Sequence, residues 1–155
     1  MIIDNESRES FSSLFKVIYK DNEMAESLSF LILEIVHVWD DLIDKDKPIE
    51  DGDINKAFLA AVVELSINPL WGEDLAYNFL NVYLRWQDAN HIESDASSSD
   101  NDISMAWMLR AGVYDLFSLI ALKLHGIEWA VTIGPTVRKL YGEKLIDFKK
   151  EFGYA

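Results

Sequence analysis

Apolar residues recur at helical spacing along nearly the whole chain, and this pattern constrains the fold more than any other feature of the sequence. They fall three and four residues apart, which places side chains on one face of an α-helix. Short segments containing Pro48, Pro69 and Gly126 separate the runs. No run alternates with a period of two, so the pattern predicts an all-α fold: a compact bundle of about six helices, in one domain over residues 1–155.

The same pattern predicts where the core lies. The predicted second helix runs from about Asn22 to Asp44, and the fifth, over about residues 102–124, is apolar nearly all round, so it is expected to be central. A polar, serine-rich segment, Glu93–Asp102, predicts a flexible loop before that helix. The third helix is expected to present one apolar face, formed by Ile54, Phe58, Ala61, Val62 and Leu65. The last amphipathic helix is expected to carry Val137, Leu140, Tyr141, Leu145 and Phe148.

Charge and cysteine content limit the classes of partner. The chain has 14 basic and 27 acidic residues, a net charge of −13, which disfavours nucleic acid and anionic membranes because both need a basic surface. It contains no cysteine, and the N-terminal sequence MIIDNESRES is polar and acidic, without the basic start and apolar run of a signal peptide. We therefore expect a cytoplasmic protein whose partner is another protein or a second copy of the chain.

The segment HVWDDLIDKD, at the end of the second helix, carries the strongest chemical lead. At 100° per residue, three of its side chains form one stripe with Glu34, which precedes the segment by one turn, and Asp40 lies at the edge. In order, the five residues are Glu34, His37, Asp40, Asp41 and Asp44. The helix macrodipole disfavours carboxylates at this end by about 0.3–1 kcal/mol each. The stripe is therefore interpreted either as a solvated helix end or as a site for a divalent cation such as Mg²⁺ that relieves the repulsion.

DDLID, Asp40–Asp44, resembles the first aspartate-rich motif, DDxxD, of the trans-prenyl diphosphate synthases. That family is all-helical, and its motif binds Mg²⁺, which in turn holds a diphosphate. The resemblance implies that Asp40, Asp41 and Asp44 bind Mg²⁺ and that Arg110 contacts a diphosphate. It covers about ten residues, and the family's second aspartate-rich motif has no counterpart in the chain. The same stretch, with DINKAF after it, is similar to small helical proteins of bacteria and their phages, a similarity that implies no activity.

Two weaker patterns of carboxylates and histidines are also compatible with metal ions. Two carboxylate-x-x-His pairs and two further carboxylates match the ligand types of the di-iron site in ferritin-like bundles. These residues are Glu34 with His37, Asp88 with His91, and the added Glu64 and Asp115. Acidic pairs that begin at Glu23 and at Asp41 resemble those of all-helical nucleotide pyrophosphohydrolases, which also use Mg²⁺. Those enzymes carry the pairs on two helices that fold back on each other, whereas nothing between Ala25 and Val38 predicts a turn.

Arg110 and Asp115 are the only charged residues between Ile103 and Leu122, on the helix expected to be central. A buried charge needs a partner, but their spacing separates them by about 140° around a helix, so they are not expected to pair with each other. Arg110 either bridges to Asp40–Asp44 and locks two helices together, or frames an anionic ligand with those acids. The residues predicted to bind such a ligand are Arg110, Asn90, Glu93 and Asp115.

Two classes of function therefore stay open. The first, which the sequence favours, is a non-enzymatic interaction or assembly module whose acids form a solvated, salt-bridged helix end. The second is a Mg²⁺-dependent enzyme or binder of a phosphate-type ligand that uses Asp40, Asp41 and Asp44 with Arg110. Convergent carboxylates in a cleft near Arg110 favour the second class, whereas a large exposed apolar patch favours the first.

Overall fold

The fold is all-α, as the sequence predicts, with seven helices among the residues that the structure describes. The structure is a computed structural model that describes residues 5–45 and 47–154, so Asp46 of the acidic stretch lies outside it. No strand occurs within these two ranges. The helices are α1 (Asn5–Tyr19), α2 (Glu23–Asp44), α3 (residues 51–67), α4 (Glu73–Ser94), α5 (Asp100–Arg110), α6 (Val113–Arg138) and α7 (Leu145–Glu151).

The main core forms where α1, α2 and the first half of α6 pack together. Phe15 of α1 is fully buried, and its ring lies 5.1 Å from that of Phe117 in an edge-to-face arrangement. Two buried hydroxyl groups in this core have hydrogen-bond partners. The Tyr19 hydroxyl lies 2.7 Å from Ser29 Oγ, and Ser29 Oγ donates to the carbonyl of Ala25 at 2.9 Å. The predicted central position of the segment that follows Gly112 is confirmed by these contacts.

The side of α3 that faces the core differs from the predicted one, although Leu65, a member of the predicted face, is buried. Phe58 and Val62, expected in the core, are 67% and 55% exposed, whereas Ala57, Ala60 and Leu65 are buried. The cause is a π turn over Ala60–Glu64, in which the N–H of Leu65 bonds to the carbonyl of Ala60. A π turn accommodates one residue more than an α turn, so residues five apart face the same way. The small alanines then pack toward α2.

The predicted fifth helix is two helices. Helix α5 ends at Arg110 and α6 begins at Val113, with a tight turn between them. A Cβ atom on Gly112 would lie 3.1 Å from the carbonyl oxygen of Leu109 and 3.4 Å from Nε of Arg85. Glycine therefore lets the Arg85 side chain lie against this turn. Because of the break, Arg110 and Asp115 lie on different helices.

Helix α6 is interrupted at Gly126, as the sequence predicts. Gly126 has φ 79° and ψ 176°, a conformation that glycine adopts without the steric cost of a side chain. Among the described residues, α6 is the one helix that is long and apolar enough, by length and composition, to cross a membrane. The interruption divides it into two parts, each shorter than the ~20 residues that a span requires.

The C-terminal region differs from the predicted single helix over residues 137–148. The chain leaves the helix after Arg138, and a short α7 begins only at Leu145. Phe148 of α7 is buried in a second, smaller core with Ala89, Ile103 and Ala106. This core packs α4, α5 and α7 together at one end of the molecule.

The predicted flexible loop, Glu93–Asp102, is shorter in the structure because α4 extends to Ser94 and α5 begins at Asp100. Residues 95–99 make the connection. Ser99 caps α5 in a capping box with Asp102, and the hydroxyl of Tyr154 donates to the carbonyl of Ser98. These contacts fix the point at which α5 begins.

The orientation of α3 predicts that substitutions at two neighbouring alanines change the stability of the fold by different amounts. Ala60→Leu forces extra volume between α3 and α2 and is expected to reduce the free energy of unfolding by about 1–3 kcal/mol. Ala61→Leu, the matched control at an exposed position, is expected to change it by less than about 0.5 kcal/mol. Urea denaturation at low protein concentration measures both. A larger loss for Ala61→Leu would mean that α3 packs by its other face.

Candidate functional site

Only part of the predicted stripe converges: His37, Asp40 and Asp44 line one cleft beside Arg110, whereas Glu34 does not. Glu34 forms an ion pair with a lysine of α3 at 2.6 Å. Asp41 is buried, with 6% of its surface exposed. Asp40 and Asp44, one turn apart, lie beside Arg110 of α5. Asp40, which the sequence places at the edge of the stripe, therefore shares its partner with Asp44.

Arg110 is the centre of a network that joins α5 to α4 and α2. Its Nε donates to Glu93 Oε1 at 2.6 Å, and its Nη2 donates both to the other oxygen of Glu93 and to Asn90 Oδ1, the latter at 2.7 Å. Its Nη1 lies 3.4 Å from Asp40 Oδ1 and 3.7 Å from Asp44 Oδ2. Nearly all the N–H groups of the guanidinium thus face protein oxygens. Asn90 and Glu93, predicted to bind a ligand beside Arg110, bond to its guanidinium instead.

An aromatic wall supports the network. The indole N–H of Trp86 donates to Asp40 Oδ1 at 2.7 Å, and the Trp86 ring lies 5.7 Å from the guanidinium of Arg110. Trp39 packs on Trp86 with ring centres 4.2 Å apart and stacks on Tyr83 at 5.4 Å. Trp39 therefore belongs to the packing between α2 and α4. The aromatic rings hold Asp40 where it meets the guanidinium.

A cleft of about 260 Å³ lies beside this network. Its walls include His37, Asp40 and Asp44 of α2 and, from the segment after α6, Tyr141 and Glu143. The Tyr141 hydroxyl donates to the Glu143 carboxylate. Burial raises the pKa of Tyr141 and that of Glu143 above their ordinary values. Three carboxylates and one guanidinium line the cleft, so its charge suits a cation better than a phosphate group.

His37 lies in this cleft as a neutral imidazole at pH 7. Burial lowers its pKa from 6.5 to about 4, and the nearby negative charge of Asp41 compensates only in part. Its Nδ1 atom is buried and has no hydrogen-bond partner within residues 5–45 and 47–154. The imidazole that lines the cleft is therefore uncharged.

The other predicted sets of residues are dispersed. Asp115, predicted to line the ligand site with Arg110, instead forms ion pairs with Arg85 and Arg138. His91 is exposed near the end of α4, and Glu64 is exposed on α3, so the di-iron set is not assembled. Helix α2 runs without a break, so acidic pairs at its two ends do not fold back on each other.

The predicted Mg²⁺ ligands are not grouped as one ion would require. Within the described residues, no three His, Asp or Glu side chains are grouped as metal ligands would be. Asp40 and Asp44 face Arg110, and Glu34 faces a lysine. As arranged, the predicted ligands do not fit one ion, and Mg²⁺ binding stays a prediction from the resemblance.

Helix α3 presents a row of large apolar side chains to solvent. We call this row the α3 apolar face; it consists of Phe58 (67% exposed), Leu59 (49%), Val62 (55%), Val63 (42%) and Ile67 (72%). The opposite side carries Ala57, Ala60 and Leu65. A surface helix usually buries most of its large apolar residues, whereas α3 exposes five of them. A contiguous row of this kind is typical of an interaction surface.

Sequence reasoning missed this surface because the segment AFLAAVV is apolar on every side. Hydrophobic periodicity identifies the inward face only when the other face is polar. One signal was present: Ala57 and Ala60 share a side, and close helix packing favours small residues. The π turn that brings Leu65 to the same side leaves no such signal.

Two other surfaces lie near by. Helix α4 exposes a shorter apolar row formed by Tyr77, Leu80 and Leu84. A groove of about 520 Å³ runs between α1, α2 and α3, with Phe30 and Leu31 among its walls. Its charged residues are Glu23, Glu26, Glu34 and Glu64, against Arg8 and Lys56. The groove is therefore acidic.

Comparison with known proteins gives no further guide to the site. No protein-family model, no curated protein and no solved structure matches the chain.

Removing the charge of Arg110 is predicted to reduce the free energy of unfolding. Arg110→Met leaves Glu93, whose side chain is 10% exposed, without its counter-charge, and the expected loss in the free energy of unfolding is about 3 kcal/mol. The double variant Arg110→Met/Glu93→Met is expected to be more stable than the single one. Lys150→Met, which breaks an exposed ion pair, serves as the control and should be neutral. Equal stability of Arg110→Met and Lys150→Met would contradict the structural role of the network.

The lowered pKa of His37 predicts that the folded protein loses stability in acid. Because the pKa of His37 is about 4 in the folded protein and 6.5 when unfolded, the unfolded chain binds the proton more readily. The contribution is complete above pH 6.5 and is lost as the pH falls toward 4. Between about pH 7 and about pH 4.5, the native protein should lose on the order of 2 kcal/mol more than His37→Leu. Urea denaturation at each pH measures this, and parallel losses in the two proteins would contradict it.

Proposed function

We propose that this protein is a non-enzymatic interaction module of the cytoplasm and that the α3 apolar face is its docking surface. The observation that carries the proposal is the exposed face of α3: five large apolar side chains face solvent while Ala57, Ala60 and Leu65 face the core. Exposure of these residues is unfavourable in an isolated monomer, and burial in a complex would remove each from water. The absence of cysteine and the net charge of −13 are compatible with a cytoplasmic location.

The cleft supports a catalytic function less well. A binder of phosphate needs a cation with free donors, and Arg110 already donates to Glu93 and Asn90. The carboxylates of Asp40 and Asp44 add negative charge beside it. A diphosphate would have to displace protein carboxylates from the guanidinium. The geometry is better suited to holding α2, α4 and α5 together.

Photocrosslinking in the native host tests the proposal. A photoreactive amino acid at position 62, in the middle of the α3 apolar face, is expected to form discrete protein adducts on irradiation. The same amino acid at position 101, an exposed polar site at the start of α5, is the control and should form none. Gel mobility and mass spectrometry of the adducts provide the measurement. Irradiation that yields no adduct at position 62, or identical adducts at both positions, would overturn the proposal.

A further inference from the structure

Four of the five residues of the α3 apolar face are arranged symmetrically about the point between Val62 and Val63. Two antiparallel helices related by a two-fold axis through that point bring Val62 of one copy against Val63 of the other. The same axis places Phe58 against Ile67 of the second copy. Buried positions follow the same symmetry, since Ala60 and Leu65 are equidistant from the axis. A surface that is complementary to itself in this way is what an isologous dimer requires.

We propose that the chain forms a two-fold homodimer in which the α3 apolar faces of two copies pack antiparallel. The inference rests on the proposed function, since it names the partner of the same surface as a second copy of this chain. The bulkiest residues lie at the two ends of the contact, and the valines lie at its centre. Each Phe58 then packs over Ile67 of the other copy, where both are most exposed.

The polar residues within the contact are compatible with burial. Ser66 lies opposite Leu59 of the second copy, and its hydroxyl already donates to the carbonyl of Val63 at 2.7 Å. It therefore enters the interface without an unsatisfied donor. Glu64 lies opposite Ala61 of the second copy, so the two-fold axis places no acid of α3 directly against the same acid.

The size of the surface is adequate for a specific dimer. Met24 is 48% exposed beside the C-terminal end of the face, where Asn68 Nδ2 donates to the carbonyl of Met24 at 3.1 Å. With Met24, the α3 apolar face exposes on the order of 600 Å² per copy, and its polar rim extends this toward the ~800 Å² per partner of a standard interface. This area lies at the upper end of the ~300–600 Å² of the largest apolar patch on a typical monomer.

Because the chain carries a net negative charge, the salt dependence of binding distinguishes a second copy of the chain from a basic partner. Two copies that each carry −13 repel each other, so salt strengthens their association by screening this repulsion. A basic partner in the acidic groove between α1, α2 and α3 would be attracted by the same charge, and salt would weaken its binding. The sign of the salt dependence separates the two partners.

Sedimentation equilibrium from about 1 to about 100 µM, at about 0.05 M and about 0.5 M NaCl, measures the mass directly. We expect a dimer whose dissociation constant decreases with salt. Leu59→Glu should weaken it by at least about tenfold. Leu80→Glu is the matched control, because Leu80 is 50% exposed on α4 and Leu59 is 49% exposed on α3. Circular dichroism checks that both variants remain folded.

A single introduced cysteine tests the geometry, since the chain has none of its own. Val62→Cys lies next to the two-fold axis, so the two copies should form a disulfide on mild oxidation, whereas Leu80→Cys should not. A monomeric mass at every concentration, or a dimer unaffected by Leu59→Glu, would overturn the inference. If the mass is monomeric but position 62 still forms adducts with another protein, only the dimer is excluded. If position 62 forms no adducts either, the proposed function fails as well.

Discussion

The guanidinium of Arg110 joins α5, which belongs to the smaller core, to the acidic end of α2, which belongs to the main core. Helix α5 packs on α4 and α7 in the smaller core, while α2 belongs to the main core. Arg110 reaches from the end of α5 to the last turns of α2, where it meets Asp40 and Asp44, and to α4, where Glu93 holds it from two sides. Arg110 therefore adds a polar link between the two cores to the apolar one made by α4, which carries Leu75 and Val82 in the main core and Ala89 in the smaller one.

That contact also explains why α2 tolerates acids at its C-terminal end. The macrodipole and the mutual repulsion of neighbouring carboxylates both oppose them. Trp86 and Arg110 supply a donor and a positive charge to Asp40, and Arg110 lies close to Asp44. Local sequence rules are broken here because a tertiary contact compensates, and rule-breaking of this kind occurs at structural contacts as well as at catalytic sites.

Sequence reasoning predicted the helical class, the interruption at Gly126 and the meeting of Arg110 with the acids of α2, and it placed Asn90 and Glu93 near Arg110 only as residues of a ligand site. These follow from spacing, from glycine chemistry and from the need of a buried charge for partners. It did not predict the turn at Gly112, because the apolar pattern continues through it. It also assigned the wrong face of α3 to the core, because a segment that is apolar on all sides carries no directional signal. In such a segment, tertiary contacts determine which side of the helix faces the core.

The π turn of α3 fixes the phase between the two ends of the helix. An α-helix advances 100° per residue, so one residue added or removed rotates everything beyond it by that angle. The turn over Ala60–Glu64 absorbs one additional residue, which keeps Ala57 and Leu65 both directed to the core. A regular α-helix of the same length, without the π turn, would rotate everything beyond Ala60 by that angle. Phe58 and Ile67 would then lie on opposite sides of it, although every apolar residue of the face would still be present.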